Sequence, residues 1–206
     1  MTAIADYGVG NLFSLKCSFA SIGEDAVITT SPDVLFKADR IVLPGVGAFR
    51  DAANKLRLSG LDKVIISEAN SGKPLLGICL GMQMLFEKSY EYGVYEGLGL
   101  LKGSIQPISG VIQKGLKIPH MGWNPLIFVK DSKLFKYIKE GECMYFVHSY
   151  YAKAEDDSVS AVAEYGAPLT AAVEKNNIFG CQFHPEKSGD AGLKILKAFA
   201  ETEAIK

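Results

Sequence analysis

Cysteine is scarce, with four residues in 206, at positions 17, 79, 143 and 181. None of them forms a C-x-x-C pair, so the zinc-ribbon and dithiol-redox patterns have no foothold. That usage suits reduced thiols better than a disulfide framework. Charge of one sign is also missing: 22 Lys and Arg stand against 23 Asp and Glu, for a net charge of -1. No global field therefore favours nucleic acid or an anionic membrane. No apolar run approaches the roughly 18 residues a membrane helix needs. The first residues, Thr2-Ala3-Ile4-Ala5, lack the basic start and long apolar stretch of a secretory signal. We expect a cytoplasmic chain, and its length suits a single domain spanning 1–206.

What is present is a core's worth of apolar residues, 48% of the chain. Ile4-Ala5 ends a strand-like run, and Asn11 is placed to cap a helix carrying Leu12, Leu15, Phe19 and Ile22. Ala26–Thr29 and Arg40–Leu43 read as strands, the second stopping at Pro44-Gly45. Helical material follows from Phe49 to Asn70, broken near Ser59-Gly60. Pro74–Ile78 reads as a buried strand entered by a proline. Strand alternating with helix implies βαβ units, hence an open, mostly parallel α/β sheet with helices on both faces. Further strands are expected at Ile105–Ile108, Leu116–Pro119, Cys143–Val147, Val159–Glu164 and Leu169–Val173. They form either an antiparallel extension of that sheet or a lobe beside it.

The chemistry concentrates at Gly77-Ile78-Cys79-Leu80-Gly81, a G-x-S-x-G elbow with Cys in place of Ser. Such an elbow needs a tight strand-to-helix turn, and flanking glycines remove the Cβ atoms that would obstruct it. Gln83–Glu87 is helix-forming, which would put Cys79 at a helix N-terminus, where the dipole favours thiolate over thiol. The Leu80 N–H is the natural first oxyanion donor. The competing reading is a buried structural cysteine between packing glycines. Pro44-Gly45-Val46-Gly47-Ala48 must also turn tightly after its strand, either as an ordinary strand–helix connection or with a Val46 N–H turned into a site as a second oxyanion donor. A nucleotide reading of Gly8-Val9-Gly10 fails, because Phe13 stands where G-x-G-x-x-G needs its third glycine.

Of three histidines, His184 is followed by Pro185 and Glu186, a base and a carboxylate two residues apart. Proline favours extended geometry before it, and in an extended segment residues i and i+2 share a side. Glu186 could then hold one imidazole nitrogen while the other faces a thiol, the competing reading being a loop histidine with a solvated glutamate nearby. His148 ends an apolar strand and has no adjacent carboxylate, so a structural or pocket-lining place suits it better. His120 also lacks a carboxylate partner nearby.

These motifs in this order resemble those of class I (triad-type) glutamine amidotransferases. The resemblance implies an open flavodoxin-like sheet, no metal or other cofactor, and a glutaminase reaction. Cys79 would attack the glutamine carboxamide, with His184 moving protons and Glu186 orienting His184. Four further segments, Asp6–Asn11, Pro44–Phe49, Ile118–Asn124 and Phe146–Tyr150, are similar to glutaminase subunits of imidazole glycerol phosphate synthases. By that resemblance Gly47, Gln83, Glu91, Ser149 and Tyr150 line the glutamine pocket. Asn11, Met121, Trp123, Asn124, Tyr145 and Lys187 would face a cyclase partner in a heterodimer that receives the ammonia. Two alternatives stay open: a class I glutaminase feeding another synthase, and a catalytically silent subunit. The presence of Cys79, His184 and Glu186 together argues against the second.

Overall fold

The apolar runs pair into an eight-stranded sheet in this computed structural model, which describes residues 1–205. Across the sheet the order is Ala26–Thr29, Thr2–Ala5, Arg40–Leu43, Leu75–Ile78, Ile178–Cys181, Pro168–Lys175, Val159–Glu164 and Ile127–Phe128. The first five run parallel, in the flavodoxin-like order, and the last three join antiparallel. Thr2–Ala5, Leu75–Ile78 and Ile178–Cys181 are buried at every position, as strands covered on both faces must be.

Alternation along the strands divides the core in two. Ala3, Ala5, Ile41, Leu43 and Leu75 pack with Leu35, Phe49, Leu56, Leu61 and Ile65 on one face. Ile4, Val42, Leu76 and Ile78 pack with Leu15, Phe19, Ile195, Leu196 and Phe199 on the other. Each face is thus closed by its own helices: Pro32–Lys37, Phe49–Ser59 and Leu61–Asn70 on the first, Leu12–Ser21 and Gly189–Ala200 on the second. The break expected near Ser59-Gly60 occurs at Gly60, whose φ of 72° ends one helix and admits the next. Among the described residues no helix is long and apolar enough to cross a membrane.

Several expectations are corrected. Asn11 precedes the first helix but makes no side-chain capping bond. The helix after Cys79 ends at Met84, and Phe86–Ser89 is a strand. Met84 and Leu85 carbonyls are taken by the N–H groups of Leu98, Leu100 and Leu101, so long-range pairing overrides local helix preference. The strand expected at Leu116–Pro119 begins instead at His120 and runs to Pro125. Both arrangements left open for the second half occur together. Strands extend the main sheet, while His120–Pro125 pairs with Cys143–His148 as a separate ribbon. A four-stranded sheet is formed by Tyr150–Ala154, Leu101–Pro107, Phe86–Ser89 and Tyr95–Glu96.

The candidate active site

The carboxyl ends of Arg40–Leu43, Leu75–Ile78 and Ile178–Cys181 are neighbours in the sheet. They deliver the Pro44–Ala48 loop, Cys79 and the Gln182–Glu186 segment to one place, where open α/β sheets hold their ligands. Cys79 has φ 54° and ψ -111°, a strained conformation for a non-glycine residue. Its N–H donates to the Cys181 carbonyl at 2.7 Å, and its own carbonyl accepts from Gln83 N–H at 3.1 Å. The flanking glycines are there for space. A Cβ on Gly81 would lie 1.8 Å from the Leu43 carbonyl oxygen, and one on Gly77 would lie 2.7 Å from Met82 backbone. That close approach also seats the elbow against the Pro44 loop, bringing Leu80 and Val46 to one cavity. Because the following helix has only five residues, its dipole contributes less than the sequence led us to expect.

His184 Nδ1 lies 2.9 Å from Glu186 Oε1, with both side chains buried. The expected pairing is there, but its geometry differs. His184 alone is extended, and Pro185–Lys187 forms a 3₁₀ turn that folds Glu186 back beneath the ring. Burial disfavours the imidazolium, yet hydrogen bonds and charge from Cys79 and Glu186 outweigh it and raise His184 to about 9. Nearby Tyr7 donates to the Pro44 carbonyl at 2.6 Å, and burial, then the charge of Cys79, raises its phenol.

A cavity of about 350 Å³ opens above the pair. Its lining includes Val46, Gly47, Leu80, Gln83, Glu91, Ser149 and Tyr150 together with Cys79 and His184. Glu91 already receives the Phe49 N–H on Oε2 at 2.5 Å, which ties it to the start of a helix. Both nitrogen-bound hydrogens of Gln83 have acceptors in the wall, the Tyr150 carbonyl at 3.1 Å and Gln182 Oε1 at 2.9 Å. Only Gln83 Oε1 is left for a ligand. Among the described residues no group of three or more His, Cys, Asp or Glu is placed to hold a metal ion.

One residue of this region escaped the sequence reading, and His148 takes the pocket-lining place expected of it. Gln182 is buried beside Cys79, and no local pattern marks it. His148 lines the cavity as a wall residue and donates through Nδ1 to the Tyr150 carbonyl at 2.8 Å. Burial lowers it to about 4, so it is neutral and its Nε2 accepts from His120 Nδ1–H at 3.0 Å. His120 is stacked between Phe146 and Tyr165.

The residues expected to meet a partner lie mainly on the ribbon. Alternation turns Met121 and Trp123 outward, 60% and 54% exposed. Trp123 meets Tyr145 edge-on with centroids 6.0 Å apart, and the Lys187 ammonium sits 5.9 Å from the Tyr145 ring centre. The same alternation turns Asn124 inward, where its Oδ1 lies 2.7 Å from His120 Nε2 and its Nδ2 donates to the Glu164 carbonyl. Asn11 stands at the head of the Leu12–Ser21 helix, which packs against the Pro185–Lys187 turn.

Fold and site together define a class: an open α/β protein with a cysteine on an elbow and a histidine–carboxylate pair beside it. The chain belongs to the class I glutamine amidotransferase family, whose model matches residues 4–202. It is 49% identical to the imidazole glycerol phosphate synthase subunit HisH of Oceanobacillus iheyensis, over 98% of each chain. To that of Caldanaerobacter subterraneus subsp. tengcongensis it is 50% identical, again over 98% of each. Among solved structures, a glutamine amidotransferase superposes with a TM-score of 0.74 at 17% identity, covering 96% of this chain and 98% of that one. PurLQS from Thermotoga maritima gives 0.74 at 21%, covering 96% of each, a likeness of fold.

Proposed function

We propose that this protein is the glutaminase subunit of an imidazole glycerol phosphate synthase. It hydrolyses L-glutamine and passes ammonia to a cyclase subunit in a cytoplasmic heterodimer serving histidine biosynthesis. Support comes from full-length relatives at about 50% identity that carry that subunit's name. The observation that carries the chemistry is the placing of Cys79, His184 and the 2.9 Å Glu186 contact at the floor of one cavity.

The reaction starts from a Cys79 thiolate facing a His184 imidazolium, and the rise of His184 to about 9 favours the imidazolium at neutral pH. The sulfur bonds to the carboxamide carbon, and the carbonyl electrons move onto oxygen, facing the N–H groups of Leu80 and Val46. As the intermediate collapses, His184 gives its proton to the leaving nitrogen and ammonia departs, leaving a glutamyl thioester. Neutral His184 then takes a proton from water, whose oxygen attacks the thioester carbon. Glutamate leaves and the thiolate–imidazolium pair is restored. Glu186 keeps Nδ1 protonated and the ring in place. Gln83 Oε1 and the remaining oxygen of Glu91 accept from the ammonium or amide of the substrate, with Gly47, Ser149 and Tyr150 completing the pocket. Met121, Trp123, Tyr145 and Lys187 form the cyclase-facing surface, with Asn11 at its margin and Asn124 bracing the ribbon from behind.

The test is ammonia release from glutamine, measured with and without a cyclase subunit bound to its nucleotide substrate. We expect stimulation by the loaded cyclase and complete loss in Cys79→Ala. Activity persisting in that variant would sink the mechanism, and failure to bind the cyclase would sink the partner.

A further inference from the structure

Gln182 is fully buried, and its backbone N–H is held by the Ala171 carbonyl at 2.8 Å. Its side-chain Nε2 lies 3.6 Å from Cys79 Sγ. Which end of an amide faces a neighbour is decided by the partners, and here they leave no choice. The Tyr150 carbonyl can only accept, and it also receives the His148 N–H. Gln83 must therefore turn its NH₂ toward Tyr150, and that same NH₂ faces Gln182 at 2.9 Å. Gln182 must meet it with oxygen, which leaves its own NH₂ for the sulfur. A fixed series of polarities, starting at a main-chain carbonyl, thus ends in an N–H aimed at Cys79.

We propose that Gln182 is a catalytic residue, a buried donor that holds the sulfur of Cys79 in its thiolate form; this rests on reading Cys79 as the nucleophile. His184 and Gln182 then divide the work. The imidazolium balances the charge and later gives up its proton, whereas the amide stays a donor throughout the cycle. A hydrogen bond to an ionised acceptor is stronger than one to a neutral group. The amide therefore favours thiolate over thiol, and its hold relaxes as the sulfur loses charge to the new bond with carbon.

The experiment follows iodoacetamide alkylation of Cys79, which lines the cavity, against pH in the intact protein, read by peptide-resolved mass spectrometry because the exposed Cys17 and Cys143 would react as well. Gln182→Met keeps an unbranched chain of similar length and removes the donor. We expect its alkylation inflection to rise by about one pH unit, a tenfold loss of thiolate at fixed lower pH. The acidic limb of glutamine turnover should move by the same amount, with the plateau largely recovered at high pH. An unshifted inflection in folded Gln182→Met overturns the proposal, even if turnover falls. Should that variant not fold, Gln182→Leu decides, since it too removes the donor, and an inflection that does not rise there overturns the proposal equally. A wild-type protein without glutaminase activity, alone or with cyclase, would instead remove the functional reading and leave the alkylation result standing as a property of the thiol.

Discussion

The floor of the cavity and the ribbon beside it are built on opposite plans. At the floor, Cys79, Gln182 and His184 hang from strands buried on both faces, and neighbouring backbones approach within Cβ distance. On the ribbon, two strands carry Met121 and Trp123 into solvent and keep only one face, with His120 and Phe146, in the interior. A charge-bearing site needs fixed partners, because a misplaced buried polar group goes unsatisfied at high cost. A docking surface needs exposed apolar area with a firm backing. The two regions meet at Tyr150 and His148, since His148 belongs to the ribbon and its ring donates to the carbonyl that orients Gln83.

The sharpest way to break the floor is Gly81→Ala. The added methyl would sit 1.8 Å from a main-chain oxygen, and no side-chain rotation relieves that contact. We expect a loss of about 3 kcal/mol in urea unfolding together with loss of turnover. Wild-type stability in that variant would show that the elbow and the Pro44 loop are not locked together.

A smaller effect is expected from Glu186→Gln, which keeps an acceptor near His184 Nδ1 but removes the charge. Turnover should fall by about a hundredfold or more, and the His184 titration should move down from about 9. The sign of the stability effect follows from the raised value. His184 contributes fully below its ordinary 6.5, and that contribution is lost as pH rises through about 9. Unfolding measured at about pH 6 and about pH 10 should therefore show the wild-type advantage over His184→Gln shrinking as pH rises. An advantage that grew with pH would contradict the imidazolium assignment.

The contrast between the two regions also explains what could be read before folding. Gly77, Cys79 and Gly81 announce themselves because the steric need is local, and His184 and Glu186 do so because only proline separates them. The parallel half was legible for a similar reason, since strands buried on both faces are plain apolar runs. Gln182 was invisible. Its partners are Gln83 and Cys79, about a hundred residues away along the chain, and nothing in a lone buried glutamine reveals which amide end faces which atom. The end of the helix at Met84 was hidden too, because its carbonyls are taken by Leu98–Leu101. The inward turn of Asn124 depends on the ribbon's register, with His148 opposite His120, and a strand start misjudged at Leu116 concealed it.

The mildest test for the fold is the most informative for the ribbon. Trp123 is half exposed and makes its one aromatic contact with Tyr145. Trp123→Ala removes little that folding uses, so unfolding stability should stay within about 0.5 kcal/mol of wild type. As a partner-facing anchor the same ring would account for about 2 kcal/mol of cyclase binding, a roughly thirtyfold weaker complex by calorimetry. Basal alkylation of Cys79 should not change, because Trp123 points away from the cavity. A variant that bound the cyclase normally would move the docking surface elsewhere. One that altered the Cys79 alkylation profile would show that the outer face of the ribbon communicates with the floor, through the His120–His148–Tyr150 contacts that already join them.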